Sequence, residues 1–142
     1  GDNFYYQDIA RMEAAIDFWL KSYELKYFVR WAIIDKSEGK AIGSIELFHR
    51  DAEDYFNHAA VLRLDLKSDF EREHVIAEIA RLIIPSVSDS FGTNRIVTKI
   101  PLYAVERAAA FAKLGFKKSN ELLVGTQDGY AYKDYWEKTQ EQ

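Results

Sequence analysis

Cysteine does not occur in the 142 residues. Its absence removes a disulfide framework, a thiolate zinc centre and a cysteine nucleophile together, and suits a cytoplasmic protein. No apolar run approaches the roughly 18 residues of a membrane-spanning helix, and no basic region followed by an apolar core opens the chain. A soluble, untargeted protein without a membrane partner is therefore expected. Gly/Ser-rich linkers and internal repeats are also lacking. One domain over residues 1–142 follows, and with 48% apolar residues it is large enough to bury a core without staples. A clustered basic face is missing too: the net charge is −4 with both signs interspersed, which excludes the usual footprint of a nucleic-acid partner.

What is present begins with Ile9, Met12, Ile16, Trp19, Leu20 and Tyr23, which recur at helical spacing with charged residues opposite. That spacing predicts an amphipathic helix lying on a sheet. Phe28 to Ile34 and Ala41 to Phe48, divided by Asp35-Lys36-Ser37-Glu38-Gly39-Lys40, read as an antiparallel hairpin. Gly43, inside the second run, marks a bulge or the close approach of another backbone. Glu46 alternates with Ile45 and Leu47, so it is either a hydrogen-bonded sheet carboxylate or a general base in a cleft. Between His49 and His58 the chain is polar, but two histidines nine residues apart match no known ligand spacing, and no metal is expected.

The centre of the chain alternates. A strand from Ala60 to Leu66, a helix over about Asp69 to Ser90, a strand from Arg95 to Ile100 and a helix closing on Leu114-Gly115-Phe116 make two parallel neighbours with a right-handed crossover. The ligand crevice of such a unit lies at the carboxyl ends of its strands, here near Leu66 and Ile100. Arg63 and Asp65 share one strand face, opposite Leu62, Leu64 and Leu66. Ser68 and Glu71 have the form of a capping box. Pro85 should interrupt the helix and Gly92 should end it. A last hairpin is predicted from Glu121 to Gly125 and from Tyr130 to Trp136, across Gln127-Asp128-Gly129. Its tyrosines suit a sheet edge or the subunit contact of a homodimer.

Trp31-Ala32-Ile33-Ile34 with Gly39, then Ile42-Gly43-Ser44-Ile45-Glu46-Leu47, Glu78, Arg95-Ile96-Val97 and Ala109 to Phe116 follow one another as in the GNAT superfamily of N-acetyltransferases. Over roughly Gln7 to Lys138 the chain resembles that family's ribosomal-protein-alanine and small-amine branch, and "AKLGF" after "RIV" is the most specific piece. The resemblance implies an α/β fold: a mixed, strongly twisted sheet with helices on both faces and a splay between the Ala60-to-Leu66 and Arg95-to-Ile100 strands. The rival is an α+β fold with one N-terminal helix on an antiparallel sheet. The resemblance also implies acetyl transfer from acetyl-CoA to a primary amine of a small molecule or peptide. Leu64, Asp65, Leu66, Arg72, Glu73, His74, Val75, Phe111 and Lys113 would then lie along the co-substrate.

Several positions depart from the family. Arg72 and His74 stand on its two pyrophosphate-loop glycines and Glu71 on the leading Arg/Gln. Phe111 replaces a tyrosine that serves many relatives as general acid, Ala104 an asparagine, and Val61 a glutamate base. Tyr103 is then the nearby phenol, and Asp65 and Glu46 are the carboxylates left for base catalysis. The departures support a second expectation, a catalytically degenerate domain that binds a ligand or protein without acetyl transfer. The family's first strand and helix, expected before Gln7, have no counterpart in these residues.

Overall fold

The computed structural model describes residues 28–140; the amphipathic helix expected over residues 9–23 lies outside them. Strand β1 (Phe28–Asp35) turns at Gly39, whose N–H reaches the Asp35 carbonyl at 2.8 Å, into β2 (Lys40–His49). β2 pairs on its other side with β3 (Ala60–Leu66), from Gly43 opposite Leu66 to His49 opposite Ala60. At Gly43 an added Cβ would lie 2.0 Å from the Asp65 carbonyl oxygen, so the close approach expected of this glycine is real. The register of β1 on β2 also shifts there. The resulting bulge puts Ile42 and Ile45, three residues apart, in the same core.

Beyond β3 a 3-10 turn (Ser68–Phe70) leads into helix α1 (Glu73–Ile83). A second 3-10 turn (Ile84–Ser86) around Pro85 and helix α2 (Val87–Phe91) follow, and Gly92 ends the run at φ 64°. The interruption at proline and the glycine stop agree with the sequence. The capping box does not form. Arg72 is the N-cap and no side chain of the chain segment caps it, because the 3-10 turn delays the helix and Glu71 is drawn to Arg107 instead.

Strand β4 (Arg95–Lys99) runs parallel to β3, helix α3 (Val105–Lys113) returns across the sheet, and β5 (Lys117–Lys118) follows. The "LGF" signature has a physical reading in the end of α3. Gly115 sits at φ 94°, its N–H bonds the Ala112 carbonyl at 3.1 Å, and the Phe116 N–H bonds the Phe111 carbonyl at 3.0 Å. This is a Schellman closure with its hydrophobic clasp, the Phe111 and Phe116 rings meeting edge to face at 5.0 Å.

Strands β6 (Leu123–Val124) and β7 (Ala131–Tyr132) form a small separate hairpin, and β8 (Tyr135–Thr139) inserts between β4 and β5. The stretch predicted as one strand from Tyr130 to Trp136 is thus split. Asp134 takes a left-handed φ of 70° and its carbonyl accepts from the Ile100 N–H at 2.9 Å, which swings β8 into the main sheet. The six strands run in the order β1-β2-β3-β4-β8-β5, mixed in direction. One core lies between the sheet and α1 and α3. A smaller one on the opposite face gathers Phe56, Ala59, Val61, Val97, Leu123 and Tyr135.

Candidate functional site

The parallel pair holds over a short distance. Ala60 to Leu62 pair with Ile96 to Thr98, and there the buried Thr98 hydroxyl donates to the Leu62 carbonyl at 2.8 Å. Past that rung the strands part. The edge of residues 63–66 that faces β4 has no strand partner among the described residues. A cleft of about 1280 Å³ opens at this splay, lined among others by Leu64, Asp65, Leu66, Ser68, Thr98, Tyr103, Glu106, Arg107 and Tyr135. It lies at the carboxyl ends of β3 and β4, as their crossover predicts.

Of the residues singled out from the sequence, Leu64, Asp65, Leu66 and Tyr103 come together in this lining. Tyr103 is 85% exposed at its rim. Burial raises the pKa of Tyr135, against a smaller downward pull from Arg63 and Arg50, so its phenol stays protonated at neutral pH. Glu46 lies elsewhere. It stands opposite Arg30 on β1 and Arg63 on β3, with Arg30 Nε at 2.6 Å and Arg63 Nη1 at 4.0 Å, a cross-strand charge ladder that ties three strands. Arg72, Glu73, His74, Val75, Phe111 and Lys113 are also outside the lining. Arg72 and His74 are exposed, whereas Phe111 is fully buried in the main core.

As far as Glu73, the beginning of α1 is closed by the chain's own groups; the amides of His74 and Val75 beyond it have no acceptor among the described residues. The N–H groups of Phe70, Glu71 and Arg72 turn back to the carbonyls of Lys67, Ser68 and Phe70 at 2.9, 3.2 and 2.8 Å. The next amide, that of Glu73, donates to the Glu106 carboxylate from α3 at 3.0 Å. Arg107 grips Glu71 with two bonds of 2.9 and 2.8 Å, and Lys113 Nζ lies 2.9 Å from Glu73. Sequence reasoning missed Glu106 and Arg107. In the first turn of a helix an acid reads as an ordinary dipole partner, and nothing local indicates that it reaches a second helix.

The acetyl-CoA implied by the resemblance therefore meets two different environments. Its thioester arm carries amides, and the open β3 edge offers the backbone groups that amides pair with. Its diphosphate finds only the His74 and Val75 amides at the start of α1. The Glu73 amide already serves Glu106, side chains stand on both glycine positions, and Glu106, which unlike Glu71 and Glu73 has no ion pair among the described residues, would repel an anion by about 1 kcal/mol at contact in water and more where water is excluded.

Residues 4–117 match the family model described as the acetyltransferase (GNAT) domain. Among solved structures, the chain is similar to the ribosomal-protein-S5-alanine acetyltransferase of Vibrio fischeri, with 17% identity over 92% of this chain and 71% of that one and a TM-score of 0.61. It is similar to an acetyltransferase of Agrobacterium tumefaciens, with 16% identity over 95% and 74% and a TM-score of 0.58. A third likeness is to the spermidine N-acetyltransferase of Vibrio cholerae in complex with CoA and spermine, with 11% identity over 95% and 77% and a TM-score of 0.57. At these identities the likeness is one of fold. No curated protein matches the chain.

Proposed function

The chain belongs to the GNAT acetyltransferase family, and on that premise we propose that it moves an acetyl group from acetyl-CoA to a primary amine of a small molecule or a protein N-terminus. The observation that carries this reading is the open β3 edge beyond the Thr98–Leu62 rung. A strand edge without a strand partner among the described residues, inside a cleft, favours an extended, amide-bearing chain laid beside it. The donor is held by its thioester arm and not by its diphosphate. Asp65 and Tyr103, which line the same cleft, are the groups assigned to accept the ammonium proton of the acceptor and to supply a proton at the other end of the reaction. The structural relatives named for a ribosomal-protein alanine and for spermidine make an alanyl peptide and a polyamine the acceptors to try first.

A second reading has its own support. The Glu106 carboxylate on the start of α1 and the buried, hydroxyl-free Phe111 favour a domain that binds a ligand or protein partner without turnover. Incubation with acetyl-CoA and either amine, followed by mass analysis of the amine and thermal unfolding of the protein, separates the two. A ligand at 100 times its dissociation constant stabilises by about 2.7 kcal/mol. Acetylated product supports transfer, stabilisation without product supports the second reading, and neither product nor stabilisation overturns the role of the cleft as a donor site.

A further inference from the structure

We propose that His49, Asp51 and His58 form a binding site for a divalent transition metal of the zinc class, at the rim of the cleft. The proposal is independent of the acetyl-transfer reading. His49 ends β2, and Arg50, one residue on, is bonded on both sides to the returning chain. Its N–H donates to the Ala59 carbonyl at 2.9 Å and its carbonyl accepts from the His58 N–H at 2.8 Å. That pairing, which no sequence spacing reveals, sets the His49 and His58 rings side by side with centroids 5.7 Å apart. Asp51 follows directly, with Oδ1 3.4 Å from His49 Nδ1. One donor atom from each of the three residues lies within 4.8 Å of the other two.

The loop that presents these donors is tied to the fold by hydrogen bonds. Arg50 and Asp54, 5% and 7% exposed, are joined by two bonds of 3.1 and 2.5 Å, and Arg50 also donates to the Val124 carbonyl. The Asn57 side chain accepts from the Ala52 N–H at 3.1 Å, and Phe56 is fully buried beneath. His58 itself sits at φ 68°, a left-handed conformation that costs an L-residue about 1–2 kcal/mol.

The donor set narrows the metal. Two imidazoles and one carboxylate suit zinc, nickel, copper or ferrous iron, whereas calcium and magnesium take oxygen ligands. Bonds of about 2.0–2.1 Å to a tetrahedral zinc require donors roughly 3.3 Å apart, so donors that now lie within 4.8 Å of one another would close on the metal by side-chain rotation. Three protein donors leave a fourth position for water or a ligand group. His49 lines the cleft, which places that position beside it.

Calorimetric titration of zinc chloride into the metal-free full chain tests the site. One equivalent should bind with micromolar or tighter affinity and raise the melting temperature. Loss of partners outside the ligand shell already costs about 10–100-fold, so His49→Gln, His58→Asn and Asp51→Asn should each weaken binding at least about tenfold. Asparagine keeps the left-handed backbone at residue 58. Asp51 is exposed, so its variant carries the test even where a histidine variant folds poorly. His74→Gln, the remaining histidine, should change nothing. Absence of saturable binding, or one equivalent bound equally well by the Asp51 and His58 variants, overturns the proposal.

Discussion

At the splay, β3 keeps one backbone edge without a strand partner among the described residues from residue 63 to residue 66; at the start of α1, the amides of residues 70–73 all have acceptors within the chain. Both regions border one cleft, and both present backbone polar groups of the kind that hold a ligand elsewhere. They differ in what the chain has done with them. The edge stays open because the strands diverge beyond the Thr98 hydroxyl. Up to Glu73 the helix start is closed because α3 brings a carboxylate and an arginine to it. Neutral, geometric recognition and charged, anion recognition are thus separable in this fold, and here the first is kept while the second is directed inward.

The largest expected effect breaks the open side. Gly43→Ala puts a methyl group 2.0 Å from the Asp65 carbonyl oxygen, and overpacking costs about 1–3 kcal/mol. The upper end applies, since relief requires moving the backbone of β3. Chemical denaturation should show that loss together with weakened donor binding; an unchanged midpoint would mean the approach of β2 to β3 does not hold the edge in place.

Opening the closed side comes next. Glu106→Gln removes one negative charge while keeping an oxygen for the Glu73 amide. It should tighten acetyl-CoA about tenfold, the equivalent of about 1.4 kcal/mol, and leave S-acetyl-pantetheine, which lacks the diphosphate, unaffected. Equal tightening of both would move the Glu106 effect away from phosphate. A smaller loss, about 1–2 kcal/mol, is expected for Thr98→Val, which leaves the Leu62 carbonyl without its buried donor; urea titration reads it directly, and a neutral result would remove the hydroxyl from the account of where the strands part.

The smallest effect appears only in acid. Burial alone would raise the pKa of Asp54, but the Arg50 hydrogen bond, the Val124 amide, the Arg50 charge and the Phe56 amide outweigh it and the net shift is downward. Its stabilisation is therefore present above the ordinary aspartate value of about 3.9 and is lost as pH falls through the lower folded value. Stability measured against pH should decline over that interval, and a profile flat down to the unfolded value and below would contradict it.

Much of the fold was legible because local chemistry dictates it. The β3–α1–β4–α3 alternation, the glycine at the β2–β3 approach, the proline interruption and the closure at Leu114-Gly115-Phe116 each follow from residues a few positions apart. The helix expected over residues 9–23 lies outside the described residues. What could not be read depends on distant partners. Glu71 abandons a cap at Ser68 for Arg107, 36 residues away, and Glu46 is enclosed by arginines of two neighbouring strands. Asp134 turns a predicted strand aside through its bond to Ile100. His49 and His58 meet only because Arg50 pairs with Ala59. None of these contacts has a period or a motif; each is decided by which backbone the tertiary fold lays alongside.

The measurement that bears most directly on the contrast between the two sides is a calorimetric comparison of acetyl-CoA with S-acetyl-pantetheine on the unmodified chain, at low and high salt. The account predicts that acetyl-CoA binds no more tightly than S-acetyl-pantetheine and does not weaken as salt rises, because the thioester arm alone is held and the Glu106 carboxylate repels the diphosphate. An acetyl-CoA affinity tenfold or more above that of the truncated thioester, about 1.4 kcal/mol, and falling as salt screens it, would contradict it and show that the start of α1 opens to the diphosphate.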